Sequence, residues 1–150
     1  MSDFNELMKL AEKGDESQVD KTVGDIYGRE GCEDLNLPAS LTAANFGRLA
    51  TKTRAELQRD TTAENMTRAV LRMVAQASVV LAKAFASHEE DAVRDRVFFV
   101  GTFVGAEENG LARRMISDSM AMVGCRALFC RHAEYLGALG SLSKSFLKSQ

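Results

Sequence analysis

The residues with the means to do chemistry lie at a few places in the chain. Gly101 and Thr102 follow the apolar run Val97-Phe-Phe-Val100. A glycine and a hydroxyl residue at the end of a buried strand occupy the position where open α/β sheets receive ligands, in the crevice outside the carboxyl ends of their strands. His132 and Glu134 are a pair suited to acid–base work. Cys32, Cys125 and Cys130 are the thiols, and His88 and His132 the two imidazoles. Their spacing matches no metal-ligand pattern, so no structural zinc and no metal site are expected, and the cysteines read as small buried side chains. Tyr27, in Asp25-Ile-Tyr-Gly28, joins an apolar ring to a polar tip and reads from its surroundings as a helix-end anchor.

These residues need elements to position them. Val97 to Val100 is too short, and too rich in β-branched and aromatic residues, for a surface helix, so it predicts a strand buried on both faces. A helical segment from about Asn109 to Val123, a stop at Gly124 and a second apolar run at Ala127 to Cys130 complete a strand, helix, strand unit. Parallel pairing with a right-handed crossover is the expected geometry. Two strands alone leave open edges, which predicts a larger sheet.

The longest predicted element starts at Thr61-Thr-Ala-Glu64, which has capping-box spacing. From there Met66, Val70, Met73, Val74, Ala77, Val80, Leu81, Ala84 and Phe85 recur at helical steps to about Ser87. That is a helix of roughly seven turns. Its apolar stripe broadens in the second half, which calls for burial in the centre or against a partner chain. Upstream, Phe4, Leu7, Met8 and Ala11 predict a helix capped by Ser2 or Asp3 and stopped at Gly14. A second helix is predicted over Val19 to Ile26, an irregular stretch over Arg29 to Pro38, and a third helix over Leu41 to Ala50, where Gly47 marks close backbone packing. A last helix over Tyr135 to Lys148 carries Gly137 and Gly140 near its start, read as letting it lie close to the sheet.

The chain has 150 residues, 45% of them hydrophobic and 27% charged, which suits a single domain with a real core. A net charge of −2 lacks the basic footprint of a nucleic-acid binder. No uninterrupted apolar run approaches the roughly 20 residues of a membrane span, and the start has no signal-peptide pattern, so a cytoplasmic protein without membrane contact is expected.

Gly14-Asp15, Val19-Asp-Lys21, Asp25-Ile-Tyr-Gly28, Leu41-Thr-Ala-Ala-Asn-Phe-Gly47, the long helix, Val97-Phe-Phe-Val-Gly101, Ala127-Leu-Phe129 with His132, and Tyr135-Leu-Gly-Ala-Leu-Gly140 stand in this order. Together they closely resemble the C-terminal half of type II pantothenate kinases, eukaryotic and staphylococcal. The resemblance implies the acetate and sugar kinase, heat-shock chaperone and actin superfamily. Residues 1–150 would then form one α/β domain, the C-terminal part of an RNase H-like (actin-like ATPase) lobe, helix-rich with a small parallel sheet. It also implies phosphorylation of pantothenate by ATP with Mg, the first step of coenzyme A synthesis, by a homodimer that acyl-coenzyme A inhibits.

By the same resemblance, Gly101 and Thr102 face the adenosine of ATP. Tyr27 reaches across the dimer toward the partner's acyl-coenzyme A pocket, whose region Thr42 lines, although Gly31 stands where a second tyrosine belongs. Arg131 and Ala133 replace acidic residues beside His132, so that region reads as structural. The family's glycine-rich phosphate loop, catalytic glutamate and pantothenate-binding residues precede the segment matching Phe4. No catalytic residue is therefore expected in this chain, because phosphoryl transfer needs the cradle and the positioning groups together. Two readings follow: the second lobe of a kinase whose first lobe was removed or is supplied separately, or a non-catalytic regulatory or interaction subunit.

Overall fold

A computed structural model describes residues 4–88, 96–105, 110–131 and 135–147, with only the backbone over 144–147. The chain divides into two compact units, Met1–Val74 and Ala75–Gln150.

In the first unit, helix α1 (Phe4–Lys13) buries Met8 and Ala11. It stops at Gly14 as predicted, and the glycine has a second role. A Cβ there would overlap the carbonyl of Glu64, so Gly14 permits direct backbone contact with the long helix. The predicted helix over Val19 to Ile26 is shortened, because Lys21–Thr22 form strand β1 and α2 spans Val23–Tyr27. Thr22 caps α2: its hydroxyl accepts the Asp25 N–H at 3.3 Å, while Asp25 accepts the Thr22 N–H at 2.8 Å.

The helix predicted over Leu41 to Ala50 does not form. Thr42–Ala44 is strand β2, antiparallel to β1 with Lys21 opposite Ala44 and Thr22 opposite Thr42. Long-range bonds override local spacing here, since the carbonyls of Leu41 and Ala39 accept the N–H groups of Val23 and Gly24. Gly47 is closely packed as expected, in the turn after β2, where a Cβ would lie 3.0 Å from that of Ala44. Within the irregular stretch Glu33–Leu35 makes a 3-10 turn and Cys32 bridges Leu37.

A short helix that the sequence reading missed, α3 (Arg54–Asp60), precedes the long helix α4 (Ala63–Ala86). The cap of α4 is one residue later than predicted. Thr62 accepts the Asn65 N–H at 3.2 Å, whereas Thr61 donates its N–H to Leu57 at 3.1 Å and closes α3. Ala69, Leu71, Ala75, Val79 and Ala86 are buried, but Val80, Leu81 and Phe85 are 60%, 61% and 76% exposed. The broad second half of the stripe is thus not covered within the described residues. By length and composition α4 could also cross a membrane, contrary to the count of uninterrupted apolar residues. A core helix passes the same test.

In the second unit, β3 (Val97–Phe99) runs parallel to β4 (Ala127–Phe129), with Val97, Phe98 and Phe99 opposite Ala127, Leu128 and Phe129. The predicted strand, helix, strand order is therefore present. The expectation of burial on both faces is not met, since Phe98 is 58% exposed. Between the strands lie α5 (Thr102–Gly105) and α6 (Gly110–Met122). Leu111, Ala112, Met115, Ile116 and Met120 form the buried face of α6, which packs on β4. Its end is a Schellman turn: Gly124, at φ +71°, donates to Ala121 and Cys125 donates to Met120.

Helix α7 (Leu136–Leu147) follows, and a Cβ on Gly137 or Gly140 would meet nothing within 4 Å. These glycines do not bring the helix against the sheet. Among the described residues the strands form two separate two-stranded sheets, not one larger sheet.

Candidate functional site

Parallel pairing places the carboxyl ends of β3 and β4 on one edge, where Val100 and Cys130 come next in each strand. Gly101 then turns the chain with φ +113°, a conformation that glycine adopts without a Cβ penalty. Among the described residues nothing lies within 4 Å of where its Cβ would be, so there is room on that side of a glycine that is half-buried as a whole. Thr102 is exposed and begins α5. Arg131 is exposed and follows Cys130 on the neighbouring strand. A strand-end edge with room beside its backbone can receive a flat polar ring, and the switch to helix after β3 fits the crevice rule for open α/β sheets.

The short helix is anchored from behind. Arg113 of α6 donates through Nε to the Val104 carbonyl at 2.6 Å and through Nη2 to the Gly105 carbonyl at 2.7 Å. Two carbonyls at the end of α5 are thereby satisfied by one fork-shaped cation, the geometry that suits guanidinium. Val104, buried to 3% exposure, adds an apolar peg.

Tyr27 and Thr42 belong to the first unit, on α2 and β2. The structure brings their elements together, since Thr42 pairs with Thr22, the cap of the helix that carries Tyr27. The Tyr27 ring is 57% exposed and available to a partner. Gly28 follows at φ +100° with open space beside it.

Two polar centres of this unit escaped the sequence reading. Asp20 is 1% exposed and accepts the Phe46 N–H at 2.7 Å, while its other oxygen accepts no hydrogen bond of ordinary geometry among the described residues. Burial pushes its carboxyl above the ordinary value of 3.8, against the opposing pull of the Phe46 N–H. Phe46 has φ +57°, a conformation that a bulky L residue rarely holds. The turn is further tied by Arg48, which donates to the Asp20 carbonyl at 3.1 Å and to the Asp25 carboxylate at 2.7 Å.

The second centre is Glu16, which pairs with both Arg68 and Arg72 of α4, the latter at 2.7 Å. Burial raises its pKa, but hydrogen bonds from Arg72, its own backbone and Arg68 outweigh that and hold it below 4.5. A signal for this centre was present in the sequence. Like charges four apart on a helix repel weakly, so Arg68 and Arg72 together favour an anion between them.

The three cysteines are free and half-buried. No group of three or more His, Cys, Asp or Glu side chains able to hold a metal occurs among the described residues. His132 and Glu134 lie outside the described residues.

Comparison with known proteins gives this arrangement a lineage. The chain is 35% identical over 147 residues to pantothenate kinase 2 of Arabidopsis thaliana, a match covering 92% of the chain and 15% of that protein. It is 34% identical over 142 residues to the 4'-phosphopantetheine phosphatase of Mus musculus, covering 94% of the chain and 16% of that protein. Pantothenate kinase 1 of Oryza sativa subsp. japonica is 29% identical over 143 residues, covering 93% of the chain and 20% of the relative. The chain thus spans only 15 to 20% of the length of these relatives. The Fumble family model matches residues 1–144, and the chain accordingly belongs to the Fumble family, with homology to eukaryotic pantothenate kinases over most of its length.

Proposed function

We propose that this chain is the second lobe of a pantothenate-phosphorylating enzyme and supplies the adenosine side of its ATP site. The observation that carries the reading is the open Cβ side of Gly101, at φ +113°, on the carboxyl edge of a parallel strand pair. In this reading Gly101 and Thr102 line the adenosine, and the groups that act on phosphate and pantothenate lie on an RNase H-like first lobe. ATP with Mg is the phosphoryl donor of the complete enzyme, which would make 4'-phosphopantothenate for coenzyme A synthesis. The chain's role in this reading is to bind and orient nucleotide, and the metal's charge would act on phosphates held by the other lobe.

The remaining assignments belong to the same proposal. Residues 1–150 act as one lobe of the actin-like ATPase kind, in a cytoplasmic enzyme. The uncovered Val80, Leu81 and Phe85 support a homodimer contact along α4, and the exposed Tyr27, with Thr42 nearby in the fold, supports a contact with the partner's acyl-coenzyme A pocket. A second reading, a non-catalytic module that keeps the fold, is favoured by the relative named 4'-phosphopantetheine phosphatase, because this region also occurs in a protein named for a different activity.

The test is nucleotide binding and reconstitution. The chain alone is expected to bind ATP weakly and to phosphorylate no pantothenate. Addition of a first lobe from a pantothenate kinase should produce turnover, with Gly101→Val raising KM for ATP more than KM for pantothenate. Turnover by the chain alone would overturn the half-enzyme reading. Absence of both ATP binding and reconstitution would favour the non-catalytic module.

A further inference from the structure

We infer that Arg113 is a positioning residue for the Gly101-Thr102 crevice, holding α5 from its far end so that the strand-end backbone keeps its shape. The inference rests on the nucleotide reading above and extends it to a residue that does not touch the ligand. Helix α5 has four residues, too few to hold itself in water, where isolated helices shorter than about 12 residues are marginal. Its start is fixed by the covalent link to β3 and by the Val104 N–H, which donates to the Gly101 carbonyl at 3.2 Å. Its end depends on Arg113, whose Nε and Nη2 take the carbonyls of Val104 and Gly105 at 2.6 and 2.7 Å.

The anchor of that clamp is firm. Arg113 sits between Ala112 and Met115 on α6, 0% and 2% exposed, so its backbone is fixed by the core of the unit. Among the described residues no carboxylate is paired with its guanidinium, and the two carbonyls are the partners recorded for it. A cation at the carboxyl end of a helix is also favoured by the carbonyl dipoles there. Removing the fork would leave the carbonyls of two buried residues without this donor and loosen the end of α5, which Val104 alone would then hold. The crevice would then lose its preformed shape, and nucleotide would have to order it on binding.

Calorimetric titration of the whole chain with ATP and with adenosine tests this, using wild type, Arg113→Leu, Arg113→Lys and the exposed neighbour Arg114→Ala as control. Arg113→Leu should weaken both ligands by about tenfold, the size of one lost charge-assisted hydrogen bond. Arg113→Lys, with a single point of donation instead of a fork, should recover part of that affinity, and Arg114→Ala should match wild type. Circular dichroism of each variant guards against misfolding. If Arg113→Leu fails to fold, the comparison of Arg113→Lys with wild type decides. Wild-type binding with unchanged affinity in the folded Arg113 variants would overturn the positioning role and leave the nucleotide site standing. No binding by wild type would overturn the site and this inference together.

Discussion

The two units are held together by different means. Residues 1–74 rely on polar bonds across long sequence separations: side chain to backbone between Asp20 and Phe46, Arg48 and Asp20, and Asn65 and Asp15, and side chain to side chain from Arg68 and Arg72 to Glu16. Residues 75–150 rely on the apolar face of α6 and the ring contact of Phe99 with Phe129, 6.0 Å between centroids, with Arg113 as the prominent polar tie. Polar pinning fixes single conformations, including ones a chain would not choose, such as φ +57° at Phe46. Apolar packing fixes a core and leaves the strand ends free to meet a ligand. The motifs of the first unit thus hold shape, while the site proposed in the second is mostly backbone.

The comparison breaks first at Glu16. Replacing it with alanine leaves two guanidiniums, each 23% exposed, without their shared anion, and should destabilise the first unit by about 3 kcal/mol. Native-state hydrogen exchange would read this as faster exchange at Phe46 with Ile116 of α6 unchanged, and an equal change at both amides would show that the units unfold together. Gly14→Ala comes next, at about 2 kcal/mol, because the new Cβ meets backbone at Glu64, which has no rotamer to yield.

Acid sharpens the contrast. Glu16 titrates below 4.5 in the folded chain, so the stability it gives is complete above that value and is lost as pH falls through the folded pKa. Asp20 titrates above 3.8, so its contribution has the opposite sign, and stability falls as pH rises between the unfolded and folded values. Glu16→Gln should flatten the acid limb of the first unit's unfolding profile, and Asp20→Asn should steepen it. Thermal unfolding between pH 3 and 6, about the carboxylate range, checks both signs.

Smaller effects separate shape from contact. Gly28 and Gly101 both have positive φ and open surroundings, so alanine at either should cost about 1 kcal/mol through conformation alone. Only Gly101→Ala is expected to weaken ATP binding. Tyr27→Phe should change stability by less than about 0.5 kcal/mol, since its ring is 57% exposed, and any larger consequence should appear in acyl-coenzyme A inhibition of the reconstituted enzyme.

The order of α1, the long helix and the β3, α6, β4 unit was legible in the sequence because each has its own apolar pattern, with Gly14, Gly101 and Gly124 as stops after α1, β3 and α6. The strand at Thr42–Ala44 was not. Leu41, Ala44 and Leu49 fit helical spacing, and what overrides it lies far upstream without a local pattern: the Asp20 carboxylate, which takes the Phe46 N–H, and the N–H groups of Val23 and Gly24, which donate to the carbonyls of Leu41 and Ala39. Phe98 misled in the other direction, since a four-residue apolar run reads as buried whether or not neighbouring strands are present to cover it. Of the site, Gly101 was visible as the punctuation after a strand, whereas Arg113 looked like one more surface arginine beside Arg114. Only the fold brings its fork to the end of α5.

Thr61 and Thr62 carry one more consequence. The first closes α3 and the second opens α4, with no residue between them. The tether between the helices is thus two residues long and not helical, with Thr61 at φ −109° and ψ 112°. The phase of α4 is set elsewhere, by the bonds between Asn65 and Asp15 and from Arg68 and Arg72 to Glu16. A residue inserted between the threonines would lengthen the tether and leave those bonds in place, so α3 hangs from the longest helix and does not steer it.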